Sequence, residues 1–205
     1  MKKKQRYARL RRHLKTGDLV FFAGRGLVSA SVQAVTHCKW SHVAMVMVLS
    51  EYDFVCLWES TTLRNLKDLN MGQVHEGVQL VPLSTRLRSY EGEVAVRQLQ
   101  GVTLGKKHLK ALTTLRRRLA GRPYEESTLE LMMSAYDGPG GDQAENLSSL
   151  FCSELVAETY QALGLIRSGR RDKPSNEYTP ADFSEAREDL PWIRGRLGPE
   201  IGVRL

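Results

Sequence analysis

One cysteine stands where a chain could place a nucleophile. Cys152 lies in "SSLFCSELVAETYQALG" (148–164), an apolar run with helical spacing that follows a loop rich in Gly, Asp and Ser. A thiol within about one turn of a helix start meets unpaired backbone N–H groups and the helix dipole, which both favour the thiolate. The alternative is a structural thiol, because Cys152 shares the core-facing stripe of this helix and free cysteine is often buried.

A nucleophilic cysteine needs a base, usually histidine, and the base needs an acceptor that orients its ring. Of the five histidines, His42 alone opens an apolar strand, "SHVAMVMVL" (41–49), where a polar ring needs a partner. The competing interpretation is a histidine at a strand end in solvent. His42 is therefore the candidate general base.

The following strand, "FVCLWES" (54–60), carries a carboxylate, Glu59. If Leu49 pairs with Phe54 across a hairpin loop, Glu59 becomes the diagonal neighbour of His42 on one face of the sheet. A shift of the pairing by one residue would place Glu59 on the opposite face. A strand-end carboxylate in water is the alternative.

These residues need a scaffold, and the hydrophobic patterns predict one. Strands are expected at 18–22, 41–49, 54–60, 77–83 and 93–99, with a last edge strand at 201–205. Helices are expected at 27–37, 104–121, 127–136, 148–164 and 179–185. In the last of these, Thr179 is the N-cap and Pro180 is the first helical residue. Strands dominate the first half and helices the second. This order predicts an α+β fold in which helices pack against an antiparallel sheet.

Charge divides the chain into two parts. Residues 1–15 hold eight of the 30 Lys and Arg residues and no acid, so the remainder, with 23 acidic residues, is nearly neutral. The sequence predicts a basic N-terminal arm (1–15) and one domain (16–205). The arm is either solvated or in weak contact with an anionic membrane surface. No nucleic-acid-binding motif accompanies it, so a nucleic-acid partner is not expected.

Cysteine and hydropathy patterns bear on the compartment and on metals. Three cysteines are too few, and odd in number, for a disulfide framework, so reduced thiols are expected. No apolar run is long enough to span a bilayer or to form a signal peptide. Together these features predict a cytoplasmic protein. His37 and His42 have the spacing of a zinc-ligand pair, with Cys38 between them, but no second pair exists. We therefore expect neither a metal nor a cofactor.

Taken in order, "TGDLVFF", "SHVAMVM", "LWEST", "GRPYEES" and "FCSELV" resemble the circularly permuted NlpC-type papain-fold cysteine hydrolases (the YiiX/YebB-like group), which are related to lecithin:retinol acyltransferase-like proteins. The histidine precedes the cysteine, as in the permuted branch. The resemblance covers about residues 16–185. It implies an antiparallel sheet packed against the cysteine helix.

The resemblance also implies roles. Cys152 resembles the family's nucleophile, His42 its base, and Glu59 the residue that orients the imidazole. Tyr124 resembles a tyrosine near the cysteine that helps to bind substrate, with core packing as its alternative. Trp40, on the strand face of His42, is expected to line the cleft or to pack in the sheet.

The chemistry implied is thiol attack on an acyl group through an acyl-thioester, with the Cys152 N–H in the oxyanion hole. An amidase or peptidase acting on a small molecule or peptide is favoured. A lipid acyl hydrolase or acyltransferase and a catalytically inactive binding module remain as alternatives.

Overall fold

A seven-stranded sheet forms the centre of the fold in this computed structural model, which describes residues 4–122 and 147–205. Its strands follow the spatial order β1-β9-β6-β2-β3-β4-β5, and β7 and β8 form a separate pair. The strands are β1 (Lys4–Arg6), β2 (Leu19–Gly24), β3 (His42–Leu49), β4 (Phe54–Thr61), β5 (Gly77–Pro82), β6 (Gly92–Arg97), β7 (Leu99–Gln100), β8 (Arg196–Leu197) and β9 (Ile201–Arg204).

All neighbouring pairs in the large sheet are antiparallel except β1 and β9, which are parallel. The α+β class and the antiparallel sheet predicted from the sequence are confirmed.

Helices cover both faces of the sheet. They are α1 (Tyr7–Leu10), α2 (Leu27–Thr36), α3 (Leu83–Ser89), α4 (Lys106–Leu119), α5 (Leu147–Ala162) and α6 (Pro180–Phe183). Alternate strand residues point to opposite faces. One set, including Phe21 and Trp58, shares a core with α4 and α5. The other set, including Phe22 and Leu57, packs with α3 and the N-terminal segment. The described helices contain no segment long and apolar enough to cross a membrane.

The basic N-terminal segment is built into the fold from residue 4 onward. β1 pairs with β9 and so covers its outer side, which makes β9 an inner strand instead of the edge strand expected from the sequence. Leu10 and Leu14 are buried in the second core, which explains why this segment is packed despite its charge. Its cations stay near the surface, where Arg11 pairs with Asp53 of the β3–β4 hairpin.

The β3–β4 hairpin has the predicted register. Leu49 pairs with Phe54, and the ladder continues to Met45 opposite Trp58. The short helix α6 also begins as predicted, since the backbone N–H and the hydroxyl of Thr179 both donate to the Asp182 carboxylate. The helix predicted over 127–136 lies outside the described residues.

Candidate active site

Cys152 is carried by α5, but deeper in the helix than its sequence suggested. The helix begins at Leu147, so Cys152 is its sixth residue and lies beyond the first turn. The role of its N–H in the oxyanion hole and the activation of its thiol by the helix terminus stay predictions.

His42 lies where two strands of the sheet separate. The β3–β4 ladder ends at Met45 and Trp58, whereas β3 remains paired with β2 as far as His42, and β4 with β5 as far as Thr61. The strands thus part at the end that carries His42 and Glu59. Because α5 packs against both β3 and β4, this opening lets Cys152 reach the imidazole.

The imidazole of His42 has a partner on each side. Its Nε2 lies 3.1 Å from Oε2 of Glu59, and the ring also hydrogen-bonds the side chain of Cys152. Since Glu59 occupies Nε2, the nitrogen left for the thiol is Nδ1. The ring of Phe22 packs against His42 at 5.4 Å between centroids and limits its movement.

Burial and charge act in opposite directions on this cluster. Burial lowers the pKa of His42, but its electrostatic interaction with Cys152 and its hydrogen bonds with Cys152 and Glu59 outweigh burial and raise the pKa to about 9. Burial raises the pKa of Glu59, but the hydrogen bond to His42 and the charge of Arg86 prevail and lower it. The arrangement thus favours a protonated imidazole on His42 beside an ionised Glu59.

Arg86 is a member of the site that the sequence did not reveal. Its Nε and Nη2 donate to Oε1 of Glu59 at 2.9 and 2.6 Å, and its Nη1 donates to Oδ1 of Asn65 at 2.8 Å. Arg86 and Glu59 are each 1% exposed. The signal was present in "LSTRLRS", where Arg86 falls on the same helix face as Leu83 and Leu87, a core position that an unpaired arginine rarely occupies.

Trp40, which was expected to line the cleft or to pack in the sheet, is buried next to β3. It precedes β3 and is 2% exposed, its indole N–H donates to Glu200 at 2.9 Å, and its ring packs against Phe21. Sheet packing, the alternative stated for this residue, describes its position. Tyr124, the other candidate substrate residue, lies outside the described residues.

The other cysteines and histidines are the remaining candidates for a second reactive or metal-binding site in the described part of the chain. Cys38 contacts Ser184, and Cys56 is fully buried with a pKa raised by burial to about 11. Within residues 4–122 and 147–205, no three His, Cys, Asp or Glu side chains are grouped so as to hold a metal ion.

Comparison with known proteins identifies the family of this chain. A family described as "permuted papain-like amidase enzyme, YaeF/YiiX, C92 family" matches residues 13–174. The crystal structure of metalloprotein yiiX from Escherichia coli O157:H7 superposes with a TM-score of 0.50 and 21% sequence identity, covering 93% of this chain and 96% of that one. None of the curated proteins matches. The similarity to yiiX supports the fold, and the family match extends to the enzyme class: the chain belongs to the permuted papain-like amidases and is a papain-like amidase-type enzyme.

Proposed function

We propose that this protein hydrolyses an amide bond through a covalent acyl-thioester on Cys152, with His42 as acid and base and Glu59 as the orienting carboxylate. The observation that carries the proposal is the position of His42, which hydrogen-bonds Cys152 on one side and Glu59 on the other. Acyl transfer by a thiol requires a nucleophile, a base that hydrogen-bonds it, and an acceptor that orients the base.

The first half of the reaction uses the proton already on His42. The Cys152 thiolate attacks the carbonyl carbon and forms a C–S bond, and the carbonyl electron pair moves to oxygen. When the tetrahedral intermediate collapses, the C–N bond breaks and His42 gives its proton to the departing amine. In the second half, neutral His42 takes a proton from water, the hydroxide forms a C–O bond, and the C–S bond breaks to release the acid.

Glu59 stabilises the imidazolium that each half-reaction passes through. Its carboxylate is almost fully buried, so its charge is screened less by solvent than that of a surface residue. Arg86 compensates that buried charge through Oε1 and leaves Oε2 for the imidazole.

The three cysteines allow the nucleophile to be tested without a substrate. Their exposures are 7% for Cys38, 0% for Cys56 and 2% for Cys152, so exposure does not favour Cys152. The experiment is the pH dependence of iodoacetamide alkylation at each cysteine, read by peptide mass spectrometry in wild type and His42→Ala. We expect rapid alkylation of Cys152 alone at pH 7, where an ordinary thiol is only a few per cent thiolate, and its loss in the variant.

Equal rates at Cys152 and Cys38, or an unchanged Cys152 rate in His42→Ala, would contradict the proposal. A second candidate function, hydrolysis or transfer of a lipid acyl group by the same residues, is favoured by the apolar side chains that surround this end of the sheet. Comparing a peptide amide with a lipid acyl ester as substrates separates the two functions.

A further inference from the structure

Two chain connections leave the sheet at the end that carries His42 and Glu59. Residues 25–41 join β2 to β3 and include α2, and residues 62–76 join β4 to β5. Because β2, β3, β4 and β5 are adjacent and antiparallel, the C-terminal ends of β2 and β4 lie at the same edge as the N-terminal ends of β3 and β5. Both connections therefore border the candidate catalytic residues.

These connections concentrate the exposed apolar side chains of the protein. They contain about a fifth of the described residues but seven of the twelve large hydrophobic side chains that are more than a third exposed in that part of the chain. We call these seven the apolar rim: Leu27, Val28, Val35, Leu63, Leu69, Met71 and Val74. Single exposed hydrophobic residues are ordinary, whereas a concentration next to a functional site marks an interaction surface.

The first connection presents its apolar residues on a helix. The segment of α2, "LVSASVQAVT", contains no charged residue, and Leu27, at its start, is 69% exposed. Val28 and Val35 are also exposed, together with the small side chains of Ala30 and Ala34. A helix turned to water normally carries charges on its outer face. The composition of α2 instead suits an apolar environment outside the protein.

The second connection displays its apolar residues on a loop whose fold is fixed. The buried carboxylate of Asp68 accepts the backbone N–H groups of Asn70 at 3.2 Å, Met71 at 3.1 Å and Leu80 at 2.8 Å. His75 adds a side-chain contact to Asp68 at 3.3 Å. These contacts fix the backbone of the loop, and Leu69, Met71 and Val74 are exposed on it.

Positive charge accompanies the apolar rim. Arg25 and Lys67 are exposed, and the carboxylates of the described residues form no ion pair with either of them. The acids of the two connections are already engaged, since Asp68 is buried and Glu76 pairs with Arg64. Apolar side chains interspersed with cations fit the boundary between acyl chains and anionic headgroups.

We propose that the apolar rim docks the catalytic end of the protein onto an anionic lipid bilayer, with its side chains among the acyl chains and Arg25 and Lys67 against headgroups. The amidase chemistry is not required for this docking. Vesicle binding without amide hydrolysis would therefore support the docking proposal and contradict only the proposed function. Amide hydrolysis without vesicle binding would contradict only the docking proposal.

The test is sedimentation of the full chain with vesicles of phosphatidylglycerol and phosphatidylcholine, compared with vesicles of phosphatidylcholine alone. Wild type should bind the anionic vesicles and lose binding as salt is raised. Leu27→Ser/Leu69→Ser, one change in each connection, should lower the partition coefficient on the order of tenfold. Arg25→Glu/Lys67→Glu should lower binding to the anionic vesicles only.

The matched control is Tyr52→Ser/Leu109→Ser, which removes exposed apolar side chains from the opposite hairpin and from α4; its binding should match wild type. Circular dichroism and thermal melts check that each variant is folded. The proposal is overturned if wild type does not bind, or if Leu27→Ser/Leu69→Ser binds equally well. Lys107→Glu/Lys110→Glu tests the cations of α4 instead; loss of binding in this variant alone would also overturn the proposal. So would light scattering that shows the apolar rim joining two copies of the chain.

Discussion

Arg86 holds Glu59 by one carboxylate oxygen only. Its Nε and Nη2 both reach Oε1, at 2.9 and 2.6 Å, while Oε2 faces Nε2 of His42 at 3.1 Å. The guanidinium therefore neutralises a buried carboxylate without occupying the oxygen that the imidazole needs. This division lets one glutamate be stably buried and still orient a catalytic ring.

The first prediction concerns Arg86→Gln. Removing one partner of a buried pair leaves the other charge uncompensated, so we expect the free energy of unfolding to fall by about 3–5 kcal/mol. Urea denaturation monitored by circular dichroism measures the change. Arg88→Gln, on the exposed side of the same helix, is the control and should cost less than about 0.5 kcal/mol. Similar losses in the two variants would show that the Glu59–Arg86 pair has no special importance.

The second prediction concerns Glu59→Gln and pH. The carboxylate is one of the groups that raise the pKa of His42 to about 9. Without it, the alkaline limb of the activity profile, where His42 loses the proton needed by the leaving group, should move down by about one pH unit or more. An NMR titration of the His42 ring gives the same information without a substrate.

Stability should follow the same titration. The folded pKa of His42, about 9, exceeds the ordinary value of 6.5, so protonation of His42 stabilises the fold fully below pH 6.5. This contribution is lost as the pH rises through about 9. In Glu59→Gln the lower folded pKa should make the loss smaller and complete it at lower pH, whereas Glu76→Gln, which changes a carboxylate paired with Arg64, should leave the profile unchanged. Identical profiles for wild type and Glu59→Gln would remove Glu59 from the proposed triad.

The third prediction concerns Asp18, a fully buried carboxylate that accepts the N–H groups of Lys15 at 2.8 Å and Leu99 at 2.9 Å. Burial outweighs these hydrogen bonds and raises its pKa from 3.8 to about 6. Between those values the folded state holds more protons than the unfolded state. Stability should therefore fall as the pH rises from about 4 to 6, by on the order of 3 kcal/mol.

Asp18→Asn should abolish that pH dependence. The variant should also be less stable overall, because an amide offers one acceptor where two N–H groups converge. Urea unfolding at pH 4, 5, 6 and 7 separates the two effects. Asp53→Asn, at an exposed carboxylate, serves as the control. If the slope persists in Asp18→Asn, another buried group is responsible for it.

Local patterns were sufficient for strands β2–β6 and β9 and for helices α2, α4, α5 and α6, but not for β1, β7, β8, α1 or α3. Alternation in "SHVAMVMVL" and "FVCLWES", joined by a short loop, predicted a hairpin whose register was left open, and the structure adopts the Leu49–Phe54 register. That register brings Glu59 to the face of His42, because side chains on a strand repeat every two residues. The order of histidine before cysteine, together with the quoted motifs, indicated the permuted family that the comparison confirmed.

The sequence by itself therefore determined the α+β class, the two strands of the β3–β4 hairpin and the residue types available for thiol chemistry, because these depend on patterns over a few residues. Contacts between distant segments were decided only by the tertiary structure. Arg86 meets Glu59 across 27 positions, and β1 covers β9 from the far end of the chain. The contact between Cys152 and His42, which joins residues 110 positions apart, also required the structure. Burial and pairing that arise from packing leave no periodic signal along the chain.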